Sequence, residues 1–157
     1  METLKGRVAL ITGAAGVLGF ATAKALAADG MKVVLTDIDD ERLQELVGEV
    51  DGDATHLVLD VSDPDAAANA CAGLAEEFGG VDVLVNNAGV LSNKKAAETS
   101  PEEWRRIMAI NLDGAFYLSR ACLPGMKAKG WGRIVNVCSL AAKTGGLTAG
   151  TAYTASK

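Results

Sequence analysis

The segment Tyr153-Thr154-Ala155-Ser156-Lys157 carries a phenol and an ammonium four positions apart. On a helix that spacing puts both groups on one face. A cation that close favours phenolate over phenol, which makes the tyrosine a usable proton donor and acceptor near neutral pH. Alone the pair is weak, because any helix can carry a solvated Tyr and Lys at this spacing. His56 is the only histidine, which argues against Ser-His-Asp triads and against zinc centres built on several imidazoles. Cys71, Cys122 and Cys138 have no Cys-x-x-Cys spacing, so no metal site is expected, and their odd number suits a reducing compartment. Cys138 reads as a small buried hydrophobe. Any chemistry here must therefore use other groups or a cofactor.

The elements that would position such groups alternate between strand and helix. Apolar runs at 7–12, 31–36, 56–59, 81–85 and 133–137 read as buried parallel strands. Between them, 20–29, 39–50 and 64–78 read as helices, with Gly30 closing the first and Ser62-Asp63-Pro64 opening the third. Ser100-Pro101-Glu102-Glu103 has the form of a capping box. The long helix it starts has an inward stripe of Trp104, Ile107, Met108, Leu112, Ala115, Phe116, Ser119, Cys122, Leu123 and Met126, and Pro124 is expected to bend or end it. This pattern predicts one α/β domain over residues 1–157, a Rossmann-like doubly wound parallel sheet in three layers. No linker, internal repeat or low-complexity tract interrupts it.

Doubly wound sheets bind ligands at the carboxyl ends of their strands, and the informative residues fall on that rim. The loop Gly13-Ala14-Ala15-Gly16-Val17-Leu18-Gly19 follows a strand and opens a helix, with an acid, Asp37, 18 residues beyond Gly19. Such a loop lets backbone N–H groups approach a pyrophosphate at the helix N-terminus. Asp37 would accept the adenosine ribose hydroxyls and repel a 2′-phosphate, and no Lys or Arg lies in the loop or directly after Asp37. NAD is therefore favoured over NADP. The plainer role for Asp37 is a helix cap, for Asp60 a turn, and for Asn86 and Asn87 the satisfaction of loop backbone. Asn111, a poor helix former inside a helix, needs a partner for its amide.

Composition narrows the classes. Net charge is −5 without a basic stripe, which argues against nucleic acid as a partner. No apolar run reaches membrane-spanning length, and residues 1–7 lead into a strand rather than a signal sequence. No membrane partner and a cytoplasmic location are expected.

Together Thr12-Gly13 with its glycine loop, Asn86-Asn87-Ala88-Gly89, Asn111, Ser139 and Tyr153-x-x-x-Lys157 resemble the short-chain dehydrogenase/reductase family in order and approximate spacing, over all 157 residues. The resemblance implies an NAD(P)-dependent oxidoreductase acting on a secondary alcohol or ketone. It implies a tetrad in which Tyr153 exchanges the proton and Ser139 hydrogen-bonds the reacting oxygen. Lys157 would assist Tyr153 and bind the nicotinamide ribose, and Asn111 would hold a water connecting Lys157 to solvent. It places Asp60 and Val61 near the adenine, and Asn87, Ala88 and Gly89 along a cofactor ribose.

The spacing Gly13-x-x-Gly16-x-x-Gly19 departs from the commonest subgroup and resembles the extended one, which includes epimerases and dehydratases, but Asn86-Asn87-Ala88-Gly89 resembles the commonest subgroup's signature, so the loop reads as a variant of it. Val17 stands where the commonest loop has glycine, and a β-branched residue tolerates positive φ poorly. Relatives continue beyond the Tyr–Lys helix, so a dinucleotide-binding fragment with little activity is the rival expectation. Homo-oligomers, dimeric or tetrameric, are expected of the complete form.

Overall fold

The computed structural model of the chain describes residues 3–147 and 149–157, so Met1, Glu2 and Thr148 lie outside the described residues. Five strands, Val8–Thr12 (β1), Lys32–Asp37 (β2), Ala54–Val58 (β3), Val83–Asn86 (β4) and Arg133–Asn136 (β5), form one parallel sheet in the order β3-β2-β1-β4-β5. The helices are Val17–Ala28 (α1), Asp40–Gly48 (α2), Pro64–Phe78 (α3), Pro101–Met108 (α4), Gly114–Ala128 (α5), Ala141–Thr144 (α6) and Thr151–Ser156 (α7).

Winding reverses between β1 and β4, which opens a crevice at their carboxyl ends. Every residue of β1 is buried, as a strand covered on both faces must be. Alternation divides its side chains. Val8 and Leu10 join Val34, Leu84, Leu74, Leu118 and Met126 on the α3–α5 side. Ala9 and Ile11 join Val33, Leu35, Ala23, Leu43 and Leu46 on the α1–α2 side. The expected three layers follow.

Helix α1 begins at Val17, three residues earlier than the apolar pattern suggests. Among the described residues only glycines have positive φ. Gly13 takes the left-handed turn at φ 63°, so the strain expected at Val17 does not arise. Helices α2 and α3 carry caps of their own. Asp39 accepts the Arg42 N–H for α2, and Asp63 accepts the Asp65 and Ala66 N–H groups for α3.

Ser100 accepts the Glu103 N–H at the start of α4 at 3.2 Å. The Glu103 carboxylate, however, bonds Ser92 and Lys94, so only half of the expected capping box forms. The long helix is two segments joined by a π turn over Ala109–Asp113. Its buried row is Ile107, Asn111, Gly114, Leu118, Cys122 and Met126. Trp104, Leu112, Phe116 and Leu123, expected inside, are exposed. Pro124 does not end the helix: it and Arg120, whose carbonyl loses its helical partner, both lie on the exposed face.

Cys71 on α3 and Cys122 on α5 lie with their sulfurs 3.4 Å apart in the core. The contact with Cys71, and then burial, push the Cys122 thiol well above its ordinary range, so it stays protonated. Cys138 departs from expectation and is exposed. Strand β5 ends at Asn136, and residue 138 emerges at the open rim beyond it.

Candidate functional site

Thr12, the last residue of β1, is the hub of the rim. Its buried Oγ1 donates to the Val85 carbonyl and accepts the N–H groups of Asn87 and Ala88 at 3.0 and 2.9 Å. The Asn87 amide donates to the carbonyls of Thr12 and Gly13 at 2.9 and 3.1 Å. The Asn87 side chain therefore fastens the β4 loop to the glycine loop, which matches the plainer reading of this residue. Close packing explains two of the glycines. A Cβ on Gly13 would lie 2.8 Å from Ala88 Cα, and one on Gly19 would lie 2.8 Å from the Asn87 amide nitrogen.

Gly16 caps α1 without any side-chain bond, and the first turn of α1 holds no acid. Val17 there is 91% exposed. The helix N-terminus opens onto a groove of about 440 Å³ lined by Gly13, Gly16, Val17, Leu18, Gly19, Asp37, Asp60, Val61, Asn87, Ala88 and Gly89. Every residue expected to touch the cofactor upstream of α7 is thus brought together. Asp37 is no helix cap. Its Oδ2 accepts the Ala15 N–H at 3.2 Å and its Oδ1 the Ile38 N–H at 2.8 Å, which holds the carboxylate against the glycine loop. Asp60 does act as a turn, since its Oδ1 accepts both the N–H and the hydroxyl of Ser62.

A second cavity of about 380 Å³ adjoins the groove and is lined by Asn86, Asn111, Ser119, Asn136, Cys138, Ser156 and Lys157 among others. Asn111, only 7% exposed, accepts the Val90 N–H at 2.8 Å and donates to the Val90 carbonyl and to Ser156 Oγ at 3.1 and 2.9 Å. Lys157 Nζ donates to the Val137 carbonyl at 3.1 Å. A Cβ on Gly89 would lie 3.1 Å from Lys157 Nζ and 3.3 Å from Asn111 Oδ1. Gly89, Asn111 and Lys157 therefore meet where the two cavities join.

Ser139 lies just beyond β5, where its Oγ accepts the Ala141 N–H at 3.2 Å. Tyr153 is half-buried in α7, which packs on α4 and α6. Neither Ser139 nor Tyr153 lines either cavity.

Sequence reading missed the contacts that fix the approach to α7. Glu103 of α4 accepts from Ser92 Oγ and from Lys94 Nζ, both at 2.7 Å. The Lys94 and Ser92 hydrogen bonds hold its carboxyl below the usual carboxylate range. A carboxyl lowered in the folded state stabilises fully above its unfolded pKa of about 4.3, and that contribution is lost as pH falls through the folded value. Glu103→Gln is therefore expected to show a shallower acid loss of stability below pH of about 4.3, in urea melts run across that range. Equal acid limbs in both proteins would remove the linkage.

Fold and rim are those of a Rossmann-type nucleotide-binding domain. The short chain dehydrogenase family matches residues 7–157, and the chain belongs to that family. D-beta-hydroxybutyrate dehydrogenase of Rhizobium meliloti is 40% identical over 138 residues, covering 85% of this chain and 54% of the relative. The 3-oxoacyl-(acyl-carrier-protein) reductase of Vibrio cholerae is 39% identical over 142 residues, covering 90% and 58%. A solved NAD+-bound xylitol dehydrogenase superposes with a TM-score of 0.92 at 32% identity, covering 99% of this chain and 61% of that one. A metagenomic short-chain oxidoreductase in complex with NADP gives 0.92 at 40% identity, covering 99% and 72%. The chain thus spans little more than half the length of the curated relatives it matches.

Proposed function

We propose that residues 1–157 form one dinucleotide-binding domain of an NAD-dependent oxidoreductase that interconverts a secondary alcohol and a ketone, with Tyr153 as general acid–base. The observation that carries this reading is the meeting of Gly89, Asn111 and Lys157 at the end of the groove that Asp37 and the open end of α1 also line.

The donor set fits a dinucleotide. Free N–H groups at an uncapped helix end suit a diphosphate, and the Asp37 carboxylate suits vicinal ribose hydroxyls. Bound nicotinamide supplies the hydride. In the reducing direction the Tyr153 hydroxyl gives its proton to the carbonyl oxygen, and Ser139 donates a hydrogen bond to the same atom. The Lys157 ammonium binds the nicotinamide ribose. Both amide hydrogens of Asn111 are already engaged. Its relay water is therefore held by the remaining Oδ1 lone pair or by a main-chain carbonyl loosened in the π turn.

Asp37 tests the cofactor. In paired titrations NADH is expected to bind at least about tenfold more tightly than NADPH, because a 2′-phosphate would meet a carboxylate of like charge. Asp37→Asn should narrow the gap. Equal affinities in the unsubstituted chain would sink the NAD assignment.

A second reading, a dinucleotide-binding fragment with little turnover, is favoured by Ser139 and Tyr153 lining neither cavity. NADH binding without NADH consumption across a panel of ketones would select it. The exposed Leu112, Phe116 and Leu123 on the long helix support assembly of the complete protein into a dimer or tetramer. The free thiols agree with a cytoplasmic setting.

A further inference from the structure

Helix α7 carries Tyr153 and leads into Lys157, and Gly150 caps it without a side-chain hydrogen bond. Its far end is tied down by the Asn111–Ser156 and Lys157–Val137 bonds. Its near end is held by a loop that precedes α4. The Gly150 N–H donates to the Ser92 carbonyl at 2.8 Å and the Thr151 N–H to the Lys94 carbonyl at 3.0 Å. These loop carbonyls satisfy N–H groups at the start of the helix. The approach is close enough that a Cβ on Gly150 would lie 2.6 Å from both carbonyl oxygens.

One cation clamps the same junction from the other side. Lys95 Nζ donates to the Gly146 carbonyl at 3.0 Å and to the Ala149 carbonyl at 2.8 Å. Gly146 has φ 74°, and a Cβ there would strike Thr154 Oγ1 on α7 itself. The segment Lys95 grips is therefore in direct contact with the helix it leads into. The loop is in turn anchored to α4 through Ser92, Lys94 and Glu103.

We propose that Lys95 is a positioning residue: by holding the Gly146 and Ala149 carbonyls it aims α7, and with it Lys157 and Tyr153, at the nicotinamide end of the groove. This role rests on the reading of Lys157 as a cofactor ligand. Lys95 itself touches neither substrate nor cofactor. Its effect should be confined to the nicotinamide half of the dinucleotide, because the adenosine half is held by α1 and Asp37, remote from the clamp.

The test compares NADH with ADP, which carries the adenosine and the diphosphate without the nicotinamide riboside, on the unsubstituted chain, Lys95→Met and Lys95→Arg. Lys95→Met is expected to weaken NADH by about tenfold, the scale of a lost pair of charge-assisted hydrogen bonds, while ADP stays within about twofold. Lys95→Arg, whose guanidinium can also reach two carbonyls, should restore most of the NADH affinity. Hydrogen exchange should quicken at the α7 amides in Lys95→Met and stay unchanged at β1. Equal loss of NADH and ADP affinity, loss of neither, or faster exchange throughout the chain would overturn the positioning role. Failure of both ligands to bind the unsubstituted chain would overturn the cofactor reading, and exchange at α7 would then decide whether Lys95 holds the helix at all.

Discussion

Tyr153→Phe is expected to lower turnover by at least about a hundredfold, the range that a positioned general acid–base supplies, while NADH affinity is retained. The substitution keeps the ring and the helix and removes only the proton that the reacting oxygen must receive. Tyr153 sits in α7, whose two ends are pinned independently of its hydroxyl, so the helix should not shift. Steady-state NADH consumption with a ketone, beside a fluorescence titration of NADH, separates the two effects. Turnover equal to that of the unsubstituted protein would dismiss Tyr153 as the proton donor. Loss of NADH binding together with turnover would instead make the side chain structural.

Thr12→Val should cost about 2 kcal/mol of stability, since it leaves the Ala88 N–H without its acceptor, at about 1–3 kcal/mol when buried, and the Asn87 N–H with only the Val85 carbonyl at 3.1 Å. Valine has nearly the same shape, so the loss is of hydrogen bonding rather than of packing. The Asn87 and Ala88 N–H groups and the Val85 carbonyl all meet the Thr12 hydroxyl, and Thr12 is 1% exposed. Because these bonds fasten the β4 loop to the glycine loop, NADH affinity should fall as well. Urea unfolding gives the first quantity and titration the second. A midpoint unchanged by the substitution would mean that water replaces the hydroxyl and that the hub is dispensable.

The sheet was legible because strands buried on both faces are continuous apolar runs, and each ended in a polar or glycine cluster that marked the rim. Groove residues could be read for the same reason, as Gly13 to Gly19, Asp37 and Asp60 follow strand ends directly. Surfaces were harder. Apolar residues at helical spacing locate a stripe but not its width, so Leu112, Phe116 and Leu123 looked internal although they are exposed. The π turn has no sequence signature beyond Asn111 in an unfavourable place. Glu103 three residues after Ser100 predicted a reciprocal cap. An ammonium and a hydroxyl from the preceding loop, Lys94 and Ser92, outcompeted the backbone for that carboxylate, and helical spacing could not reveal them. The Lys95 clamp is invisible for the same reason, since its partners lie about fifty positions downstream.

The uncapped start of α1 bears on how the chain survives when idle. Helices α2, α3 and α4 carry their own acid or hydroxyl at the N-terminus, and α1 carries none. Its first-turn N–H groups are left to solvent or to an anion that comes from outside. A ligand that binds the native state alone draws the folding equilibrium toward it by mass action. Under the proposed reading, dinucleotide supply would then set how long the protein lasts, the empty domain being the form that proteases meet first.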